Sequence, residues 1–168
     1  MKIVLTGPEC SGKTTLAMQI AEHYGVSIAL EPARGHLQPD QIYQPSDLLQ
    51  LTVVQRRMEM KERAGLQIFD TDLQTIYIWW QEKFGPVPEV LRRGYAEYSS
   101  QRDRIYLLCR PDIPWEYDPL RENPHDRDRL YELYRNDLKA RGLVFELIEG
   151  QADQRFKCAV DFIQRQGG

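Results

Sequence analysis

The residues with the clearest chemistry lie near the start of the chain, where Gly7-Pro-Glu-Cys-Ser-Gly12-Lys13-Thr14 matches a GxxxxGK[ST] phosphate-binding loop at every fixed position. Glycine at 7 and 12 lets the backbone turn without a Cβ clash, so successive amides can converge on a phosphate. A helix opening at the same place adds the positive end of its dipole. Lys13 then supplies a point charge for the β and γ phosphates, and Thr14 a hydroxyl for Mg²⁺. Gly7, Glu9, Cys10, Ser11, Gly12 and Thr15 complete the set of residues expected to hold ATP.

Further charged residues appear where short apolar runs stop: Glu31 and Arg34 after 27–30, Asp70 and Asp72 after 67–69, Arg110 and Asp112 after 104–109. Asp70 reads as a carboxylate that holds Mg²⁺ through water, with a helix cap as the competing role. For Asp72 the cap and the functional reading stand level. Glu31 sits where a base could reach an acceptor alcohol, and Arg34 is a candidate for substrate or phosphate. Arg56 and Arg57 read as solvated. Arg121 and Arg127 follow a proline-punctuated stretch and suit a lid that closes over the triphosphate and neutralises charge on the transferred group. Of the adjacent Trp79 and Trp80, about 100° apart on a helix, one belongs in the core and the other can stack on a base. The three histidines show no ligand pattern.

The elements that must position these groups follow from periodicity. A strand at 3–5 enters the phosphate loop, and Leu16, Ala17, Ile20, Ala21 and Tyr24 recur at helical spacing after it, with Gly25 as the cap. Pro32 is expected to force the chain out of regular structure. Ser46 opens a helix to about residue 64, with Leu48, Leu49, Thr52 and Val53 on its inner side. Helices at 73–84, about 88–99, 128–140 and the C-terminal stretch alternate with strands at 67–69, 104–109 and 143–148. The alternation predicts an α/β fold, a five-stranded parallel sheet flanked by helices, in one domain over 1–168 with a lid at about 110–127. In such sheets ligands bind outside the carboxyl ends of the strands, where the charged residues cluster. Gly150, just past the fifth strand, is placed beside the adenine on topology alone.

A net charge of −3 with 28% charged residues gives no electrostatic case for nucleic acid or an anionic membrane. Three cysteines with no zinc-type spacing read as reduced thiols, and no apolar run reaches membrane-spanning length, so a cytoplasmic protein is expected. There is no NKxD, no DxxG after the third strand and no LSGGQ signature. Guanine-nucleotide switches and transport ATPases are thereby disfavoured, and a kinase for a nucleoside or small alcohol fits the acidic strand ends, with a nucleotide-binding regulatory ATPase module as the alternative.

The loop at 6–15, Glu31-Pro-Ala-Arg34, Phe69-Asp-Thr-Asp72 with Thr75 and Trp79 behind it, and above all Asp112-Ile-Pro-Trp-Glu-Tyr-Asp-Pro-Leu-Arg121 carry a family resemblance. The chain resembles the ribosylnicotinamide kinase domain of the bifunctional nicotinamide-nucleotide adenylyltransferase/ribosylnicotinamide kinase family, nearly end to end. The resemblance implies a P-loop NTPase fold and ATP-dependent phosphorylation of the 5′-hydroxyl of nicotinamide riboside, a small nucleoside-like substrate. It implies Glu31 or Asp70 near that hydroxyl, Asp72 and a tryptophan toward the substrate, and lid arginines over ATP. Trp79, Asp112 and Trp115 are the other substrate-side candidates. Two departures stand out: the sequence starts at the kinase's first strand without the adenylyltransferase domain, and Pro32 occupies a position where an aromatic residue is expected.

Overall fold

A computed structural model describes residues 1–36, 44–60, 65–118, 121 and 124–167, with only the backbone of Arg34 and His36. Five strands, β1 (Lys2–Thr6), β2 (Ile28–Ala29), β3 (Gln67–Asp70), β4 (Arg104–Cys109) and β5 (Phe145–Ile148), form one sheet in the order β2-β3-β1-β4-β5. Every pairing is parallel. The chain places β2 and β3 on one side of β1 and β4 and β5 on the other. The loops that leave the carboxyl ends therefore diverge around β1, and a crevice opens there.

Both faces are covered, which is why β1 and β4 read as continuous apolar runs rather than alternating ones. On one face Ile3, Leu5 and Leu107 pack against α1 (Lys13–Tyr24) and α7 (Ala152–Arg165) through Leu16, Ile20, Phe162 and Ile163. On the other, Val4, Phe69, Tyr106 and Leu108 meet Ile78 of α4 (Leu73–Phe84) and Tyr131, Tyr134 and Leu138 of α6 (Arg127–Ala140). Each of these side chains adds about 1.5–3 kcal/mol of apolar burial. A third cluster joins α4 to α3 (Pro45–Glu59) and α5 (Glu89–Ser100), with Leu51, Trp80 and Tyr95 at its centre.

Three local expectations change. The segment after Pro32 is a single helical turn, α2 (Ala33–His36): proline cannot continue a strand ladder, but it suits the entry to a helix. Helix α3 ends at Glu59, and 61–64 lie outside the described residues. Its inner stripe is Leu48, Leu51, Thr52, Gln55 and Glu59, while Val53 is exposed, so the apolar periodicity was read about one residue off. The polar members at 55 and 59 disguised the true face.

Among the described residues, two non-glycine residues have positive φ: Cys10 (50°) in the phosphate loop and Thr71 (81°) between β3 and α4. Left-handed backbone is costly for a β-branched residue, so the fold holds Thr71 there, partly through its N–H donated to the Leu5 carbonyl at 3.1 Å.

Candidate functional site

At the carboxyl ends of the strands the 7–15 loop borders a cavity of about 220 Å³. Strand β1 delivers the chain into the loop, and Gly7, at φ 126°, lies so close to β4 that a Cβ there would sit 2.6 Å from the Cys109 carbonyl oxygen. Gly12, at φ 78°, is the left-handed N-cap from which α1 starts. Only glycine meets both demands without strain.

The loop's carbonyls are held by donors of the protein itself. Lys13 Nζ donates to the Gly7 and Pro8 oxygens at 2.9 and 2.6 Å, and Ser11 Oγ donates to the Pro8 oxygen at 2.8 Å. Arg127 Nη1 takes the Cys10 oxygen at 2.9 Å, Arg155 Nη1 the Ser11 oxygen at 2.8 Å, and the Leu16 amide the Gly12 oxygen at 3.1 Å. Across a trans peptide the following N–H points opposite to the carbonyl. A loop with its oxygens anchored in protein thus turns amide hydrogens outward, the arrangement that receives phosphate.

Thr14 and Asp70 meet directly, the hydroxyl donating to Asp70 Oδ2 at 2.6 Å. Asp70 Oδ1 is buried and accepts no hydrogen bond. Asp72, two residues on, points elsewhere. It is fully buried, caps α4 by accepting from the Gln74 amide at 2.9 Å, and accepts from the Tyr106 hydroxyl at 2.7 Å. Burial pushes its carboxyl up to about 6, opposed by the Tyr106 hydrogen bond, Arg104 and the Gln74 amide and reinforced by Asp137. Gln74 extends the network, accepting from Thr6 Oγ1 at 2.7 Å and donating to Asp137 at 2.9 Å and to the Tyr134 carbonyl at 3.3 Å.

The segment after β4 folds back over the loop. Cys10 Sγ accepts from the Glu116 amide at 3.2 Å and from Arg121 Nη1 at 3.4 Å, and donates to the Pro114 carbonyl at 3.4 Å. Arg121 also donates to the Glu116 carbonyl at 2.6 Å, and Arg127 to the Ile113 carbonyl at 3.1 Å while its guanidinium lies 5.6 Å from the Trp115 ring centre. Both arginines therefore join the phosphate loop to residues 113–116.

Of the residues singled out in the sequence, the cavity brings together Gly7, Glu9 to Thr15, Glu31, Trp79 and Arg121; Asp70 does not border it but accepts from Thr14, which does. Trp80 is the core partner of the tryptophan pair, donating Nε1 to the Pro86 carbonyl at 3.1 Å. Asp72, Asp112, Trp115, Arg127 and Gly150 do not border the cavity. Asp112 pairs with Arg155 and accepts from the Gly150 amide at 2.7 Å, so the Asp112 carboxylate and Gly150 serve the scaffold in this structure. The side chain of Arg34 lies outside those described.

Ala33, Thr75, Ile113, Glu116 and Tyr134 border the cavity without having been singled out as binding residues. Tyr134 was hidden on the apolar stripe of α6. Burial pushes its phenol well up, with the negative fields of Glu31, Asp72 and Glu9 adding to the effect. Arg155 carried no signal at all, being one charged residue on an amphipathic C-terminal helix.

A family model described as an AAA domain matches residues 2–155. The chain belongs to that AAA domain family. No curated protein sequence matches it. Among solved structures it is similar to a NadR protein in complex with NR, at 18% identity and a TM-score of 0.72 over 99% of this chain and 50% of that one. A thymidylate kinase from Ehrlichia chaffeensis gives 15% identity and 0.63 over 99% and 98%. A deoxyadenosine kinase from M. mycoides with bound dATP gives 14% identity and 0.60 over 98% and 99%. The chain spans about half the length of the NadR chain. These likenesses, with the 2-3-1-4-5 parallel order, establish the expected P-loop NTPase fold.

Proposed function

We propose that this AAA-family domain transfers the γ-phosphoryl group of ATP to the 5′-hydroxyl of a small nucleoside, nicotinamide riboside in particular. The observation that carries the reading is one cavity that joins a phosphate loop and Lys13 to an acidic, aromatic wall made by Glu31, Glu116, Trp79 and Tyr134. A cationic pyridinium ring is the kind of nucleobase such a wall favours, since aromatic faces and carboxylates both attract positive charge. The segment resemblance over 112–121 supports the same acceptor.

In this reading the loop amides and Lys13 bind the β and γ phosphates, and Arg121, with Arg127 behind it, covers them and excludes water. Glu31 receives the acceptor's proton. Asp70 is less suited to that task because, unlike Glu31, it does not border the cavity. The Thr14 and Asp70 pair fits Mg²⁺: the hydroxyl and carboxylate are in contact, and Oδ1 is a buried acceptor in want of a partner. Mg²⁺ bound there supplies charge neutralisation at the β and γ oxygens. Most of the acceleration would come from positioning and fixed charge, with proton removal a smaller contribution.

The test is ADP release from Mg·ATP with nicotinamide riboside against a panel of ribonucleosides and deoxyribonucleosides, with product mass identified. A much higher kcat/KM for nicotinamide riboside is expected. Product from another acceptor alone would discard the substrate and keep the mechanism, and ATP consumption indifferent to any alcohol would reject the kinase.

A further inference from the structure

We infer that Arg155, on the first turn of the C-terminal helix, is a positioning residue for the triphosphate: it sets the tilt of the phosphate loop without touching the nucleotide. Arg155 is 4% exposed, and its three nitrogens diverge to three segments. Nη1 donates to the Ser11 carbonyl at 2.8 Å, Nη2 to the Arg110 carbonyl at 2.7 Å and to the Asp112 carboxylate, and Nε to the Gly150 carbonyl at 2.9 Å. One guanidinium thus ties the phosphate loop after β1 to the segments just past β4 and β5, the strands that follow β1 in the sheet order, and Asp112 closes the ring through the Gly150 amide at 2.7 Å.

The consequence follows from peptide geometry. With the Ser11 oxygen held by Arg155, the Gly12 N–H in the same peptide plane is directed away from Arg155, and Gly12 and Lys13 both border the cavity. Gly12 also leaves room for this: a Cβ there would be 3.4 Å from Arg155 Nη1. A lysine at 155 keeps the charge, but a single ammonium cannot reach three divergent acceptors in fork geometry. The Ser11 peptide would then be free to rotate, and the loop would have to be ordered again at each binding event.

This inference rests on the loop being the phosphate site, and the experiment separates the two. Calorimetric titration of Mg·ATP is run on the parent chain, Arg155→Lys and Asp112→Asn, with Ki for tripolyphosphate by competition, KM for the acceptor alcohol and thermal unfolding alongside. The expected result is a Kd for Mg·ATP raised about tenfold or more in R155K and about threefold in D112N. Tripolyphosphate should weaken by the same factors, the acceptor KM should stay within about twofold, and unfolding should remain cooperative. A Kd unchanged in both variants overturns the clamp while leaving the phosphate site standing, and so does an ATP loss without a matching tripolyphosphate loss, or an acceptor KM that rises in parallel. D112N keeps the arginine in place, so the clamp is still judged if R155K does not fold. A parent chain that binds neither ATP nor tripolyphosphate overturns the phosphate-loop reading itself and the clamp with it.

Discussion

Lys13 and Glu31 border the same cavity with opposite charges and separable tasks. Lys13→Ala should abolish ATP turnover while thermal unfolding stays cooperative, because among the described residues the ammonium bonds loop carbonyls and no carboxylate, so removing it leaves no buried charge unpaired. Turnover at the parent rate would contradict the phosphate-loop assignment. Glu31→Gln preserves shape and removes basicity, so kcat should fall by about 10²-fold with ATP affinity changed little. A mild effect would move the proton to Asp70. Asp72 gives a different signal, in stability. Its folded-state carboxyl is pushed from the ordinary 3.8 up to about 6, so the folded chain binds the proton more tightly than the unfolded one. The sign is then fixed: this group's contribution to stability falls as pH rises from about 4 to about 6, and the full penalty persists above that. Asp72→Asn keeps an oxygen for the Gln74 amide, presents an N–H to the Tyr106 hydroxyl in place of the second oxygen, and cannot ionise. Denaturant unfolding should show the variant gaining on the parent by on the order of 1–2 kcal/mol across that window. Parallel pH curves would mean that Asp72 titrates as it does in the unfolded chain.

At the scale of elements, the junction of β1 with the loop is the tightest fit in the site. Gly7→Ala would place a methyl 2.6 Å from the Cys109 carbonyl oxygen at φ 126°, and neither backbone can yield without breaking the β1–β4 pairing. A loss of more than about 2 kcal/mol is expected, roughly 4–8 °C in Tm. Gly25→Ala is the control, since φ is 64° but the space beside it is open, and about 1 kcal/mol should suffice. A scan that finds the two variants equally stable would show that the contact with β4 yields. Elements of this kind were legible in the sequence because glycines, capping residues and apolar runs act locally. The strand ends at Glu31 and Asp70 and the helix at 73–84 were read from such signals, and α4 spans Leu73–Phe84. What escaped is non-local. Nothing in the neighbourhood of Arg155 announces that its guanidinium reaches Ser11, 144 positions away in sequence. Nor does the apolar face of α6 reveal that Tyr134 borders a cavity while Leu138 beside it is core. The inner face of α3 misled for the opposite reason: burial of Gln55 and Glu59 depends on partners supplied by the fold, such as the bond between their side chains at 2.5 Å.

For the whole molecule, ligand linkage should dominate. Mg·ATP at about 100 times its Kd should add about 2.7 kcal/mol to the folded state, a Tm rise that EDTA reduces and Lys13→Ala removes. An identical Tm with and without nucleotide would argue against a nucleotide site. The parallel sheet could be expected from alternating strands and helices, though not its strand order, and the sheet's polarity collected the chemistry at one edge. No helix among the described residues is long and apolar enough to cross a membrane.

Thr71 separates two carboxylates with opposite fates. Its left-handed backbone turns the chain so that Asp70 meets Thr14 while Asp72 enters the interior to cap α4. Anyone randomising the Asp-Thr-Asp triplet in a search for altered acceptor use would therefore select mainly for folding yield, since positions 71 and 72 answer to the scaffold. Combinatorial diversity is better spent at Trp79 on α4, Glu116 in the segment after β4 and Tyr134 on α6, which border the cavity.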